Sequence, residues 1–226
     1  MNIAFVPIRS GSKSIPEKNI KKIHGKPLVY WSLKALQESK KIDQIYVALD
    51  CQKFEKIVRS FAFDKISIYW RSEENSQDHS STESVILEFL NNNITQFQQN
   101  DYFILVQATS PMIKAHDLDK AFDLLKDKKA DSLLSCTKTK RFFWSLDAKA
   151  LNYNYKNRPR RQDFSGLFME NGAFYINTIG NILKYKNRLS GKIAIYEMPL
   201  YSAIELDEEI DWIIVEQLMQ KYFPME

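Results

Sequence analysis

The chain has 226 residues, of which 44% are hydrophobic and 27% are charged, with a net charge of +4. This balance is typical of a globular protein that buries a core without disulfides, and it excludes a mostly disordered chain. The charge is too small to indicate nucleic-acid binding, so we expect no nucleic acid among the partners. No apolar run is long enough for a bilayer span, and the first residues lack the order of a signal peptide. We therefore expect a cytoplasmic protein with no membrane partner.

Short apolar runs and helical patterns alternate along the first two thirds of the chain. The predicted strands are residues 2–7, 44–49, 66–70, 102–107 and 132–136, and the predicted helices between them are 27–39, 53–61, 83–90 and 115–126. Such alternation predicts an α/β fold, with a mostly parallel twisted sheet and helices on both faces. Ligands bind at the carboxyl ends of such strands. The loops selected by that rule are 8–19, the residues after Asp50, 71–82 and 108–111.

The alternation breaks between residues 138 and 165, where aromatic and basic residues predominate. We interpret 138–170, together with about 177–195, as a small β-rich flap on a single domain that spans residues 1–226. Residues 171–176 and 192–198 are predicted strands of the sheet. Residues 208–220 form the predicted last helix, whose inward-facing side chains are Ile210, Ile213, Ile214 and Leu218.

The cysteines and histidines show no spacing that indicates a metal or catalytic site. Cys51 and Cys136 do not form a CxxC motif, and we expect both to be reduced thiols. The three histidines are scattered, which argues against a histidine metal site and against a Ser-His-Asp triad.

The loop after the first predicted strand reads IRSGSKSIPEKN and spans residues 8–19. Its small residues allow backbone N–H groups to turn toward an anion, and Arg9, Lys13 and Lys18 supply positive charge. The loop matches neither the Walker A pattern nor the GxGxxG pattern. From composition alone, a phosphate-binding loop and an ordinary solvated surface loop are both open.

The same loop resembles the ARGGSKGIPxKN signature of CMP-sialic acid synthetases, also called acylneuraminate cytidylyltransferases. The resemblance continues through most of the chain, in the segments WRSEENSQDHSSTES, VQATSP, RPRRQDFSGLFMENGAFYI, GKIAIYEM and AIELDEEIDW. The QATSP and RPRRQD forms are closer to the animal-type enzymes and their bacterial relatives than to the shorter bacterial type. The resemblance implies a nucleotide-diphospho-sugar transferase-like, Rossmann-like fold. It also implies transfer of CMP from CTP to the anomeric hydroxyl of a nonulosonic acid, with release of pyrophosphate and with Mg²⁺ as cofactor.

Two other functions stay open at this point. One is a cytidylyltransferase for another acidic sugar, such as KDO, although RPRRQD and MENGAFYI resemble the sialic-acid branch. The other is a non-catalytic nucleotide-binding protein of the same fold. Its support is confined to departures from the family pattern, at Ser10, Ser14 and Glu205.

The resemblance implies a nucleotide site built largely from the first loop. Arg9 would hold the triphosphate, and Lys18 would offset charge that develops at the α-phosphate. With Asp207, these two are the implied catalytic residues. The implied nucleotide contacts besides Arg9 are Ser10, Gly11, Ser12, Lys13, Asn19, Thr82 and Gln107. Ser81 or Thr82 is equally suited to cap the helix that follows.

The resemblance also implies a site for an acidic sugar. A guanidinium binds a carboxylate through two parallel hydrogen bonds, and the family gives this role to the position of Arg161. The implied sugar contacts are Arg160, Arg161, Gln162, Asn171, Tyr175 and Gln107, of which Gln107 would face both substrates. The family forms homodimers in which the flap of one subunit reaches over the site of the other.

The acidic pair Glu205 and Asp207 is the implied metal site. Residues i and i+2 of an extended segment point to one side, so both carboxylates would face one Mg²⁺. The family pattern is Asp-x-Asp, and Glu205 is one methylene longer, which makes Asp207 the firmer ligand. From the residues alone, the acidic start of a helix is the alternative explanation of the pair. The general base stays open, with Asp207 as one candidate.

Overall fold

The computed structural model describes residues 1–12, 14–77 and 79–224. The strands are β1 (Asn2–Pro7), β2 (Lys22–Ile23), β3 (Lys26–Pro27), β4 (Gln44–Leu49), β5 (Ile66–Trp70), β6 (Tyr102–Val106), β7 (Ser132–Thr139), β8 (Leu167–Thr178) and β9 (Ile193–Met198). The α-helices are α1 (Leu28–Glu38), α2 (Gln52–Arg59), α3 (Thr82–Asn92), α4 (Ala115–Asp127), α5 (Ile179–Tyr185) and α6 (Glu209–Tyr222).

Seven of the strands form one sheet in the order β5-β4-β1-β6-β8-β7-β9. Strand β1 pairs in parallel with β4 and β6, β4 pairs in parallel with β5, and β7 pairs in parallel with β9. Strand β8 runs antiparallel to both of its neighbours, β6 and β7. The predicted mostly parallel α/β sheet is therefore confirmed. The carboxyl ends of β1, β4, β5 and β6 meet at one edge, which gathers the loops that follow them.

Helices cover both faces of this sheet, as the sequence predicts. Ala4 and Val6 of β1 point into a core shared with α1, α2 and α4. Ile3 and Phe5 point to the opposite face, into a core shared with α3 and α5. Because β1 is buried on both faces, its sequence is a continuous apolar run rather than an alternating one.

A third, smaller core joins the beginning of the chain to its end. Ile15 from the loop after β1 and Leu28 from the start of α1 pack with Leu206 and with Trp212 of α6. This packing holds the loop after β1 against the segment that leads into α6. The two segments that carry Lys18 and Asp207 are thereby held side by side.

The sequence-based assignment of the inward face of α6 is wrong. Its buried residues are Trp212, Val215 and Met219, whereas Ile210, Ile213 and Ile214 are exposed and Leu218 is partly buried. The apolar residues of α6 surround much of its circumference, so the pattern alone does not choose a face. The third core determines which face of α6 is buried, because the Trp212 indole packs there with Leu206. The centroid of the Trp212 ring also lies 4.6 Å from the Lys21 ammonium nitrogen.

The flap differs from its prediction in two ways. Residues 140–166 are mostly irregular, with a β-bridge between Trp144 and Ala150 and a short 3-10 helix at Tyr155–Asn157. Residues 177–195, which the sequence assigns to the flap, instead contain α5, whose Ile179 and Ile182 are buried against the sheet. Among the described residues, no helix combines the length and apolar character needed to cross a membrane.

Candidate active site

A cleft of about 260 Å³ opens at the carboxyl edge of the sheet. It lies between the loop after β1, the end of β6 and the first turn of α3. The lining residues are Pro7, Arg9, Ser12, Lys18, Asn19, Arg71, Ser80, Ser81, Thr82, Val85, Gln107, Ala108 and Thr109. Three of the four loops selected from the sequence therefore contribute to one cavity. Residues that are far apart in the chain meet there because parallel strands end at the same edge.

Within the loop after β1, Arg9 and Ser12 line the cleft, whereas Ser10 and Gly11 are exposed outside its lining. The Ser10 backbone N–H donates to Asp50 Oδ1 at 3.0 Å, and its hydroxyl donates to Asp50 Oδ2 at 3.2 Å. Asp50, directly after β4, thus fixes the turn that carries Arg9. Lys13 lies outside the described residues.

Lys18 begins a short 3-10 helix, Lys18–Ile20, and its ammonium faces the segment before α6. It donates to the Leu206 carbonyl at 2.8 Å and to Asp207 Oδ1 at 3.0 Å. The Lys18 side chain is 12% exposed, whereas that of Asp207 is 68% exposed. The adjacent Asn19 is buried and donates from Nδ2 to the Arg9 carbonyl at 3.0 Å. Lys18 and Asn19 therefore line the cleft, and Asp207 contacts Lys18 from outside that lining.

At the first turn of α3, both interpretations of the Ser81-Thr82 pair fit the geometry. The Ser81 hydroxyl accepts a hydrogen bond from the Ser84 N–H at 3.0 Å, which is the N-cap interaction. Thr82 also lines the cleft. Capping is therefore assigned to Ser81, and Thr82 stays available for a ligand.

Gln107 and Glu205 converge above Gly172, which has a positive φ of 62°. A Cβ at this position would lie 2.5 Å from Gln107 Oε1 and would also contact Glu205 Oε2. A side chain at this position would require both side-chain ends to move, and the positive φ itself disfavours a residue other than glycine. Burial, followed by the charges of Asp207 and Glu170, raises the pKa of Glu205, while Lys18 acts in the opposite direction.

Glu205 and Asp207 flank Leu206, whose side chain is fully buried in the third core. The alternation agrees with the extended segment that the sequence predicts. Among the described residues, no group of three or more His, Cys, Asp and Glu is arranged to hold a metal. Mg²⁺ is usually bound through one or two carboxylates together with substrate phosphates, so this pair of hard oxygen ligands beside a cationic cleft fits that ion.

Neither of the two predicted sugar contacts on β8, Asn171 and Tyr175, lines the cleft. The Asn171 side chain is fully buried, accepts from the Ser135 hydroxyl at 2.8 Å and donates to the Ser202 carbonyl at 3.2 Å. Its amide is occupied by the protein, so a direct sugar contact is not supported. Tyr175 is also buried, and its hydroxyl donates to the Glu170 carboxylate. Burial and then Glu170 raise its pKa.

The predicted sugar contacts on the flap do not line the cleft of their own chain. Arg160 and Arg161 lie in a separate cavity of about 590 Å³ with Lys140 and Arg158. Arg160 forms an ion pair with Asp163 at 2.7 Å, and Gln162 is exposed, with its carbonyl accepting from Lys140 at 3.3 Å. Within the described part of one chain, the basic flap and the cleft are therefore two sites.

Two residues that shape the cleft, Arg71 and Asp50, have no role that the sequence alone assigns. Arg71 lines the cleft and donates to the Asn75 carbonyl, while its Nε is buried without a hydrogen-bond partner among the described residues. Burial lowers the pKa of Arg71, and Asp50 opposes this shift. The signal for both residues is positional, since each follows directly on a parallel strand, at the edge where ligands bind.

The sequence model of the family described as Cytidylyltransferase matches residues 3–215. An N-acylneuraminate cytidylyltransferase of Oncorhynchus mykiss is 36% identical over 227 residues, which cover 97% of this chain and 50% of that protein. The chain thus spans about half the length of that relative. A CMP-N,N'-diacetyllegionaminic acid synthase of Legionella pneumophila is 27% identical, with 96% of each protein covered.

Among solved structures, a CMP:2-keto-3-deoxy-manno-octonic acid synthetase complexed with CTP has a TM-score of 0.69 to this chain. The two are 18% identical, and the match covers 97% of this chain and 98% of that one. This likeness supports the fold that the sheet order and the two-sided helix layers define. Because the family model matches nearly the whole length, the chain belongs to the cytidylyltransferase family.

Proposed function

We propose that the protein transfers CMP from CTP to the anomeric hydroxyl of a nonulosonic acid. The anomeric oxygen forms a bond to the α-phosphorus of CTP, and the bond from that phosphorus to the β-bridging oxygen breaks. Pyrophosphate leaves with the bonding electrons, and the hydroxyl proton passes to a base. A cytoplasmic location, predicted from the sequence, is part of this proposal.

One observation carries this proposal: Lys18, which lines the cleft together with Arg9 and Arg71, places its Nζ 3.0 Å from Asp207 Oδ1. A nucleotide triphosphate needs positive charge along its phosphates, and its metal needs a carboxylate at the same place. The Lys18–Asp207 contact brings a cation and a carboxylate to the same place, although the two residues are 189 positions apart in the sequence.

In this proposal, different residues of the cleft bind different parts of CTP. Arg9 and Lys18 are suited to the phosphates, because both present cationic donors at the end of the first strand. Thr82 and Arg71 lie along the same cavity, and the buried Nε of Arg71 is a donor that an acceptor on the nucleotide would satisfy. Asn19 supports Arg9 through its backbone carbonyl.

Glu205 and Asp207 are the residues that would hold Mg²⁺. When bound, the ion supplies charge neutralisation at the transferred phosphate and orients it for displacement. The chain itself holds Lys18 beside Asp207, where the ammonium can offset charge that grows on the α-phosphate in the transition state. Gln107, next to Glu205 above Gly172, is positioned to orient the attacking sugar.

In this proposal, Arg161 binds the carboxylate of the sugar. A second subunit completes the site. Arg160, Arg161 and Gln162 lie on the flap, away from the cleft of their own chain. The flap also exposes Trp144 and Tyr155, and aromatic residues of this kind are enriched at protein interfaces. A homodimer in which each flap covers the partner's cleft accounts for both observations.

The test is pyrophosphate release from CTP with N-acetylneuraminic acid, KDN and KDO as alternative acceptors. We expect release with at least one of the two nonulosonic acids, and we expect a CMP-sugar product by mass spectrometry. UTP in place of CTP is the control for base selection. Release with KDO alone would favour the related octulosonic acid activity. Nucleotide binding without release in these mixtures and in one with a legionaminic-type acid would contradict the proposed transfer.

A further inference from the structure

The carboxylate of Glu88 accepts four hydrogen bonds behind the cleft. Glu88 is a partly buried residue of α3 and is not among the residues that line the cleft. Its Oε1 accepts from the Tyr69 hydroxyl at 2.6 Å and from the Ser72 backbone N–H at 3.1 Å. Its Oε2 accepts from the Ser72 hydroxyl and from Asn75 Nδ2. A carboxylate has about four lone-pair sites, so these donors use its full capacity.

Three of these four donors belong to the loop that follows β5, at Ser72 and Asn75. Strand β5 is the edge strand of the sheet, next to β4. Its last backbone contact with β4 is the hydrogen bond from the Arg71 N–H to the Leu49 carbonyl, at 3.0 Å. None of residues 72–77 is buried, so apolar packing contributes little to the position of this loop. The hydrogen bonds to Glu88 on the neighbouring helix therefore fix it.

The loop in turn holds the side chain of Arg71. The Asn75 carbonyl accepts from Arg71 Nη2, and the Ile8 carbonyl lies 3.5 Å from Arg71 Nη1. Arg71 lines the cleft, and its buried Nε has no hydrogen-bond partner among the described residues. The direction of the guanidinium thus depends on the position of the Asn75 carbonyl, and that position depends on Glu88.

The charge of the cleft gives Arg71 a need for such an anchor. Arg9 and Arg71 both line the cleft. Burial lowers the pKa of Arg71, Asp50 opposes this shift, and the positive charge of Arg9 adds to it. Like charges repel, so the guanidinium of Arg71 stays in the cleft only when other groups hold it there. The Asn75 carbonyl is one of those groups.

Glu88 is suited to anchoring the loop because it is ionised at neutral pH. Burial raises the pKa of Glu88, but the hydrogen bonds from Ser72, Tyr69 and Asn75 outweigh burial and hold the pKa below its usual value. An ionised carboxylate only accepts hydrogen bonds, and every group that contacts it here donates. The amide of a glutamine would turn N–H groups toward two of these donors and leave them unpaired. Glu88→Gln therefore loosens the loop while it keeps the size of the side chain.

We propose that Glu88 is a positioning residue for nucleotide binding, which anchors the loop after β5 and thereby holds Arg71 where its Nε donates to an acceptor on CTP. This inference rests on the proposed function, because it takes CTP as the ligand of the cleft. Glu88 itself does not touch the nucleotide, and its effect passes through Asn75 and Arg71. Two residues that act through one contact have non-additive effects, so energetic coupling between Glu88 and Arg71 is the expected signature.

The experiment measures the Kd for CTP by calorimetry in the wild type, in Glu88→Gln, in Arg71→Ala and in the double variant. Arg71→Ala should raise Kd about tenfold or more, as for a lost hydrogen bond to a charged group. Glu88→Gln should raise Kd severalfold in the wild-type chain and have no further effect beside Arg71→Ala. Asn92→Ala is the matched control on the same helix, because Asn92 donates to the Tyr69 hydroxyl at 2.9 Å and not to the loop. It should leave Kd unchanged.

Kinetics separate positioning from a loss of folding. Glu88→Gln should raise KM for CTP and leave KM for the acid sugar, measured at saturating CTP, unchanged. A loss of CTP affinity that is equal with and without Arg71→Ala would show that Glu88 acts independently of Arg71 and would overturn the proposal. An unchanged Kd in Glu88→Gln would overturn it as well.

The same measurements distinguish this inference from the proposed function. If the wild type shows the coupling in CTP binding but releases no pyrophosphate with any acid sugar, the proposed transfer fails and the role of Glu88 stands. If the wild type releases pyrophosphate and the coupling is absent, only the role of Glu88 is refuted.

Discussion

Lys18 and Asp207 are 189 residues apart in the sequence, and the Lys18 ammonium lies 3.0 Å from the Asp207 carboxylate. The same ammonium is held by the Leu206 carbonyl at 2.8 Å. These two acceptors fix the direction of the Lys18 ammonium, so the charge is already in position before a substrate reacts. Several expected outcomes depend on this contact and on the residues around it.

Lys18→Ala should abolish most turnover while CTP still binds. If the ammonium stabilises charge that develops in the transition state, its loss lowers kcat by about 100-fold or more. Pyrophosphate release measures the rate, and calorimetry measures CTP affinity. Lys53→Ala is the control, because Lys53 forms an exposed ion pair with Glu17 at 2.5 Å. An equal loss of CTP binding and turnover would instead assign Lys18 to ground-state binding.

Asp207→Asn should shift the Mg²⁺ requirement of the reaction to higher concentration. The substitution keeps the size of the side chain and removes the negative charge that a hard cation prefers. The measurement is initial rate as a function of Mg²⁺ concentration at saturating CTP. Glu209→Gln, at an exposed acidic residue at the start of α6, is the control. An unchanged titration in Asp207→Asn would remove this residue from the metal site.

The proposed homodimer can be tested by co-expressing two impaired variants and assaying at an acid-sugar concentration at which Arg161→Ala is nearly inactive. Arg161→Ala should raise KM for the acid sugar far more than KM for CTP. If the flap serves the partner's cleft, co-expressed Lys18→Ala and Arg161→Ala chains form heterodimers with one intact site. Random pairing then restores about a quarter of the wild-type activity. Absence of any restored activity, with heterodimers detected by mass spectrometry, would place Arg161 and Lys18 in the same subunit's site or in unrelated roles.

Glu83 should contribute stability that is lost in acid. The hydrogen bond from Arg188 lowers the pKa of Glu83, and burial opposes the shift. Because the folded pKa is below the unfolded one, the unfolded state binds the proton more tightly in acid. The contribution is therefore complete above the usual glutamate pKa and disappears as the pH falls through the folded value.

The measurement for Glu83 compares the melting temperatures of the wild type and of Glu83→Gln from neutral pH down to below the usual glutamate pKa. The difference between them should be largest near neutrality and should narrow in acid. Glu55→Gln, which disrupts the exposed pair with Arg59, should produce a smaller difference, since exposed pairs contribute little. A pH-independent difference for Glu83→Gln would contradict the assignment.

Gly172→Ala should impair both stability and catalysis. The backbone there has a φ of 62°, and the added Cβ would collide with Gln107 Oε1 and Glu205 Oε2. Gly191→Ala is the matched control, because Gly191 has a φ of 61° and its Cβ would meet Asp131, outside the cleft. Both variants should melt at lower temperature, but only Gly172→Ala should lower kcat/KM. Equal kinetic effects would indicate general destabilisation.

The sheet is accessible from the sequence because its central strands are buried on both faces. The sequence predicts β1 and β4 with the bounds that the structure has, since a continuous apolar run between turn residues is typical of a buried strand. The bounds of the edge strand β5 are also predicted correctly, although none of its residues is fully buried. The pattern does not reveal α5, because this helix has only seven residues, one of them Gly180. It also misplaces the inward face of α6, because isoleucines occupy the exposed side of that helix.

The sequence predicts those residues of the candidate site that stand in a recognisable motif. The resemblance names Lys18 and Asp207, and the carboxyl-edge rule places the first of them near the cleft. Arg71 escapes prediction, because it is an ordinary charged residue in sequence and only the fold brings it into the cleft lining. The sequence also does not show that the Asn171 amide is buried and hydrogen-bonded within the protein, which leaves its predicted sugar contact without support from this structure.

The third core has a consequence for how the Lys18–Asp207 contact is held. Ile15, three residues before Lys18, and Leu206, next to Asp207, pack in the same small core as Trp212 of α6. The two contacting residues are therefore anchored to one hydrophobic cluster, so a substitution that loosens this cluster would disturb their contact from outside the cleft lining.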